Sequence, residues 1–592
     1  MPNVRNFFVA LTLVLLLSFP AIWSAEIRPT DLPPDDDILA FAYRSEGGLI
    51  SRLHKATPLG EAYFQRFIPV EKLGLVVDSD RYLLTRFTWI TNPALQDLLN
   101  YPGPPAATDA GKAAANPQLL DGLLQVMVPD WQELTPDRYD FSFVGRDFLE
   151  AIRCLIYDVR PKHPEDAGFT GRIFLEDKTF AIVRFTGNSA RLDTALAELR
   201  DKDSRFEIDS WRMNVAPNRW YPAYSYLEEI PAWGSRGSPI VRGQVRFWGY
   251  DRTATEQQQR VDVFLNDSPS STTPKWRSPL ETQRMYENQA EENVLARLFQ
   301  ARFLGAPGEV EAMLDQVLTN LIAKNNLVLG QPVRCRILLT TRLEAFSVGR
   351  TIVLSRGLVD VLPSESAIAL VLAHQLAHNV LGHPKVDTRF VYPDVLRISD
   401  QELLAKLRFR RSPSEEAEAD AKAMEILEKS PYQSAMNDGG LFMQAIQARV
   451  KQLSSLIVPA FGEDVADTQH LVSFNRMFLT TPVRNEQLIH QVGALPLGAK
   501  LIVSPWDGHI EIFRPTPALA QKLYERAELA VTPFVPRLEY FAEKSNAPKM
   551  AVTAAKPRPA NRSARSPNRA VESPTKPASP TVAAVRPTQN DR

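Results

Sequence analysis

Cysteine is almost missing from this sequence: 592 residues contain two, Cys154 and Cys335. Neither their number nor their spacing can make a cysteine zinc site, and two buried free thiols are a simpler reading than a disulfide. No cysteine stands near the N-terminal apolar run, which argues against a lipid-anchored lipoprotein. Net charge is nearly absent too, −1 over the whole chain, so nothing global points to a nucleic-acid partner. Beyond the N-terminus no stretch approaches the ~20 apolar residues of a spanning helix, and no internal repeat is present. The remaining composition, 44% hydrophobic and 23% charged, is that of globular protein. The length calls for more than one domain.

Residues 1–25 read as an export signal. Arg5 is the positive start, Phe7 to Pro20 the apolar run, and Ser24-Ala25 the small residues for cleavage. An uncleaved membrane anchor is the alternative; either way the body is expected outside the cytoplasm. Glu26 to about Asn100 mixes short helical and extended runs, and Pro102 to Pro117 is a small-residue loop. From Tyr139 to Tyr250 the texture is β. Gly171–Leu175 and Thr179–Phe185 form a hairpin, and Arg205–Val215, Trp220–Glu228 and Ile240–Tyr250 are further strands. Trp211, Trp220, Tyr221, Tyr224, Tyr226, Phe247 and Trp248 recur there, as core and rim of a β domain or as an apolar binding surface. The region faintly resembles half-barrel carriers that ferry lipoproteins in bacterial envelopes, without a specific motif.

A polar, proline-rich joint at 268–282 separates this domain, 26–267, from a helical one, 283–541. Short strands at Cys335–Thr340 and Thr351–Ser355 precede a helix that opens near Pro363-Ser364 and closes at Gly382. That helix carries His374 and His378. Four residues apart, they project from one face toward one ion. Ser412-Pro413-Ser414-Glu415 is a capping box that starts a second helix. Glu416 in its first turn can be a third ligand, and Asp420 one turn later can fix a ligand histidine's tautomer. Two histidines and a glutamate leave a fourth position for water, the pattern of catalytic zinc. The alternative is two ordinary core histidines. Where zinc peptidases place a glutamate base, between the histidines, this chain has Gln375. Residues 542–592 are a basic Pro/Ala-rich tail, expected to be disordered.

Four segments in order resemble the zinc metallopeptidases of the CAAX-prenyl-protease and HtpX heat-shock type. They are Ala345–Leu358, Val371–His378 with Gly382-His383, Glu416–Asp420, and Phe478–Pro482. The resemblance covers roughly 283–541. It implies a zincin-like fold, one zinc ion on His374, His378 and Glu416, and a polypeptide substrate or client. The departures are Gln375 at the general-base position, Thr481 where the family has a histidine, Gln487 where it has an arginine, and Glu344 for an asparagine. A general base is worth about 10²–10⁴-fold, and each oxyanion donor about as much.

The expected fold is α+β: a mixed N-terminal domain with an antiparallel sheet, then a mainly helical metallopeptidase-like domain with a short β edge. The expected protein is exported, binds zinc, holds extended peptide along Thr351–Ser355 by strand addition, and hydrolyses it weakly or not at all. An active endopeptidase of envelope quality control, and a non-enzymatic carrier or scaffold, are the alternatives. Contact with a membrane surface would run through the signal region or the basic tail. His383, beyond the glycine that ends the helix, is not expected to be a ligand.

Overall fold

The computed structural model describes most of residues 33–462, with larger gaps at 98–121 and 252–278, together with 501–512 and 538–540. The signal segment, the proline-rich joint as far as residue 278, the segment with Thr481 and Gln487, and the basic tail lie outside the described residues; residues 279–282, assigned from sequence to that joint, are instead the first turn of a helix. The N-terminal part is built on helix α1 (Asp35–Leu53) and ten strands: β1 (Leu59–Val70), β2 (Gly74–Thr88), β3 (Ala94–Asp97), β4 (Tyr139–Leu149), β5 (Ile152–Pro161), β6 (Phe169–Glu176), β7 (Ile182–Ser189), β8 (Arg205–Ala216), β9 (Arg219–Ile230) and β10 (Ile240–Trp248), with a short α2 (Ala190–Ala195) after β7. They form one antiparallel sheet in the order β3-β2-β1-β10-β9-β8-β7-β6-β5-β4. The segment 59–88, read from sequence as mixed, is therefore two long strands. Its alternation is hidden because β1 is buried on both faces for seven consecutive residues.

One face of the sheet lies under α1 and residues 122–128, with Leu49, Phe64, Val126, Phe185 and Leu227 in a common core. Arg212 of β8 crosses that core to pair in two-pronged fashion with Glu46 of α1, at 2.5 and 2.7 Å. The other face, at the β2-β1-β10 end, shares a single core with the helical half. Of the recurring aromatics, Trp220, Tyr221, Tyr224, Tyr226, Phe247 and Trp248 are all buried, so they act chiefly as core.

The helical half contains α3 (Pro279–Gln300), α4 (Glu309–Lys324), β11 (Arg334–Leu338), β12 (Ala345–Val348), β13 (Thr351–Ser355), α5 (Arg356–Val361), α6 (Glu365–Leu381), α7 (Asp400–Lys406), α8 (Pro413–Glu428), α9 (Met436–Arg449), α10 (Ser454–Ile457) and a hairpin of β14 (Leu501–Val503) and β15 (Ile510–Ile512). Buried polar bonds tie it to the large sheet. Glu61 of β1 accepts from the Thr341 backbone and hydroxyl, and Asp80 of β2 accepts from the Ser455 and Leu456 amides. Arg86 and Arg297 share Asp400. Among the described residues no helix is long and apolar enough to cross a membrane. Cys154 and Cys335 are free and buried. Burial pushes the Cys154 thiol up to about 12.

The three-stranded sheet has the order β11-β13-β12. Thr351–Ser355 is thus its central strand, parallel to β11 on one side and antiparallel to β12 on the other. Both of its hydrogen-bonding edges are taken, so it cannot receive an added strand. The expected peptide edge moves to β12.

Candidate metal centre

Helix α6 is apolar almost all round, and twelve consecutive described positions, Ala367 to His378, are buried. Such a helix must be enclosed. Its start is fixed by Ser364, whose side chain accepts from the Ala367 amide, and its end by Gly382 at φ 76°. Ala373 and Ala377 on α6, and Ala419 and Ala423 on α8, are fully buried small residues that let the two helices approach closely. Helix α8 begins with the Ser412–Glu415 capping box and Pro413 in its first turn. Cap hydrogen bonds from Ser412 hold the Glu415 carboxyl below the usual range. These two start signals set the register that brings the helices' polar residues together.

His374 Nε2 lies 3.1 Å from His378 Nε2 and 3.2 Å from Glu416 Oε2, and His378 Nε2 lies 3.6 Å from Glu416 Oε2. All three side chains are buried, and their ligand atoms lie within 4.8 Å of one another. Tetrahedral zinc with bonds near 2.0–2.1 Å would space its ligand atoms by about 3.3 Å. The observed separations bracket that value, so the group fits a zinc ion. Without a cation or proton between them, three electron-pair donors would face one another in a dry site.

The surrounding groups set the tautomers. Asp420 Oδ1 is 2.9 Å from His374 Nδ1, which places the proton there and turns Nε2 inward as a lone pair. His378 has a counterpart that sequence reasoning missed. Its Nδ1 lies 3.0 Å from His383 Nδ1, and His383 Nε2 lies 3.5 Å from Glu418. His383 is outside the ligand trio but reaches its back. The left-handed Gly382 folds the chain over, and the His383 amide donates to the His378 carbonyl at 3.0 Å. The signal was present in the glycine-histidine pair just past the helix end.

Gln375 is buried, and its Oε1 accepts from Ser347 Oγ of β12 at 2.8 Å. The carboxylates nearest in sequence are engaged elsewhere. Glu365 accepts from Tyr432, Glu415 closes the helix cap, and Glu418 faces His383.

The outer edge of β12 is not open. The Ser355 amide bonds the Glu344 carbonyl, so by antiparallel alternation Ala345 and Ser347 turn their backbone groups outward. Arg411 Nη2 sits 3.4 Å from the Ser347 carbonyl oxygen. Gly462 packs so tightly on Ala345 that a Cβ there would lie 2.5 Å from its carbonyl oxygen. Phe346 stacks on Phe409 at 4.7 Å. Glu344, where the resemblance expects asparagine, anchors this cover: one carboxylate oxygen accepts from the Ala460, Phe461 and Gly462 amides. Burial raises its carboxyl above the ordinary value.

Residues 309–438 match the model of peptidase family M48. That span runs from α4 through the three-stranded sheet, both ligand helices and the site residues just described, and stops short of the 460–462 cover. The match supports a zinc metallopeptidase-like function for this part of the chain. No curated protein matches. Among solved structures, the chain is similar to a DUF1329 family protein from Desulfovibrio piger, at 8% identity over 35% of this chain and 92% of that one, with a TM-score of 0.16. It is also similar to a putative outer membrane lipoprotein-sorting protein domain from Vibrio parahaemolyticus, at 8% identity over 35% and 93%, TM-score 0.17. A third is MucB in complex with MucA(peri), at 11% identity over 36% and 92%, TM-score 0.12. Likeness at these TM-scores carries no inference for this chain.

Proposed function

We propose that this chain is an exported, zinc-binding metallopeptidase-like protein of the CAAX-prenyl-protease and HtpX type that binds extended polypeptide and has lost or largely lost hydrolysis. The observation that carries it is the combination of a zinc-spaced trio, His374, His378 and Glu416, with an amide at 375. His374, His378 and Glu416 would hold the ion, while Asp420 and His383 orient the two imidazoles. Zinc, when bound, polarises a carbonyl and lowers the pKa of its water. Peptide hydrolysis also needs a side chain that takes that water's proton, and the Gln375 amide cannot take one at neutral pH. Its hydrogen bond to Ser347 instead ties the signature helix to the edge strand. Extended peptide would pair with the outer edge of β12 after the 459–462 segment and Arg411 withdraw.

The deciding experiment is peptide hydrolysis by zinc-loaded wild type beside Gln375→Glu. Negligible wild-type turnover is expected. Chelator-sensitive turnover by the wild type would overturn the reading and establish a working endopeptidase. Recovery in Gln375→Glu is not required, because Thr481 and Gln487 also depart from the family pattern.

A further inference from the structure

The sheet face that meets the helical half carries a second apolar cluster farther along, and Trp211 packs against both. Ile152 and Cys154 of β5, Phe174 of β6, Val183 of β7 and Trp220 of β9 form it together with Leu538, which is 1% exposed and comes from a distant part of the chain. Residues 538–540 lie there as a bound peptide would. The Leu538 amide donates to the Glu150 carboxylate at 3.0 Å, and its carbonyl accepts from the Ala151 amide at 3.4 Å. Glu539 is exposed. The Tyr540 hydroxyl then donates to Glu176 Oε1 at 2.7 Å. Its ring meets Trp220 edge-on with centroids 6.1 Å apart, and the Lys178 ammonium stands 4.9 Å from the same ring's centre. Two side chains separated by one residue thus carry the contact, as in extended chain.

The surface under the segment has a defined chemistry. Glu150 lies in the β4–β5 turn and Phe180 in the β6–β7 turn, and both are non-glycine residues in left-handed backbone, at φ 53° and 55°. Residues held that way cost energy and gather at ligand clamps. Glu176 is fully buried, and the Thr179 amide and hydroxyl hold its Oε2 at 2.7 and 2.6 Å, so Oε1 meets the tyrosine hydroxyl from a fixed position. One buried side chain, one hydroxyl bond and two main-chain bonds are the scale of an exchangeable peptide contact rather than of a core element. We propose that this surface is a receptor groove for extended polypeptide carrying leucine and, two residues later, tyrosine, and that residues 538–540 fill it in cis until a partner polypeptide of that pattern displaces them. None of these residues belongs to the metal centre or the β12 edge, so the groove does not depend on zinc or on hydrolysis.

The full chain and its Leu538→Ala/Tyr540→Ala variant are titrated with a fluorescein-labelled peptide of the 536–542 sequence, read by anisotropy. The variant should bind saturably. The wild type should bind at least tenfold more weakly, because a tethered segment competes at an effective concentration on the order of millimolar. In the free peptide, Leu538→Asp should weaken binding at least tenfold and Tyr540→Phe at least threefold. Leu538→Ala alone serves if the double variant folds poorly, and thiol labelling of Cys154, located by mass spectrometry, gives a second readout. Cys154 should label at least tenfold faster in Leu538→Ala than in the wild type, and added peptide should slow it again. No saturable binding by the variants, equal affinity in the wild type, an unchanged affinity for the Leu538→Asp peptide, or Cys154 labelling that the peptide does not slow would each overturn the groove and leave 538–540 as a fixed anchor.

Discussion

Asp420→Ala tests how far the metal centre depends on groups behind its ligands. Asp420 Oδ1 sits 2.9 Å from His374 Nδ1 and is fully buried. Removing it strands an imidazole N–H in a dry site and frees the ring to take the other tautomer, whose Nε2–H would point at the ion. Carboxylates in this position are typically worth 10–100-fold in metal affinity, or about 1.4–2.7 kcal/mol. Zinc affinity measured by competition with a chromogenic chelator at pH 7.5 should fall by that factor. Asp420→Asn retains a carbonyl acceptor for the same N–H and should fall less. His374→Ala should lose high-affinity binding altogether. If Asp420→Ala binds zinc within twofold of the wild type while His374→Ala does not bind, the inferred tautomer control is wrong.

Three further outcomes follow from the geometry. Gly382→Ala should cost about 1–2 kcal/mol, because φ is 76° there. By shifting His383 it should also weaken zinc binding, read from the urea midpoint and the same chelator competition. Glu46→Ala should destabilise by about 3–5 kcal/mol in urea unfolding, since it leaves the buried Arg212 without its carboxylate. Desolvation raises the Asp80 carboxyl from its ordinary 3.8 to about 6. The folded state therefore binds this proton more tightly than the unfolded chain, and the resulting stabilisation is complete below about pH 4 and lost as pH rises through 6. Between pH 5 and pH 7.5 the wild type should lose about 1.4 kcal/mol relative to Asp80→Asn, measured as the change in their difference in urea stability; a difference that is flat or grows with pH contradicts it.

The two ligand helices were legible because their ends are written in local chemistry. Ser364 and Gly382 bound one, and Ser412, Pro413 and Glu415 start the other, each within a residue of the expected place. The β6–β7 hairpin was legible as two short β-rich runs either side of a brief polar turn. What escaped was set by tertiary contact. β1 carries buried Glu61 and Gln65 inside an otherwise apolar run, and only the packing of both sheet faces explains why it is a strand. Strand order within the small sheet is not encoded locally, so β13 was taken for the edge when it is the central strand. Neither the Gln375–Ser347 bond nor the cover of Arg411 and Gly462 has a sequence signature, because each joins segments 28 or more residues apart.

Zinc K-edge absorption on the purified, zinc-loaded protein tests the central claim most directly. It should show one ion with nitrogen and oxygen neighbours only, at 2.0–2.1 Å, including two imidazoles. His378→Ala should lose one imidazole shell or the ion itself. A protein that takes up no zinc, or holds it with an imidazole count unchanged by His378→Ala, would contradict the account.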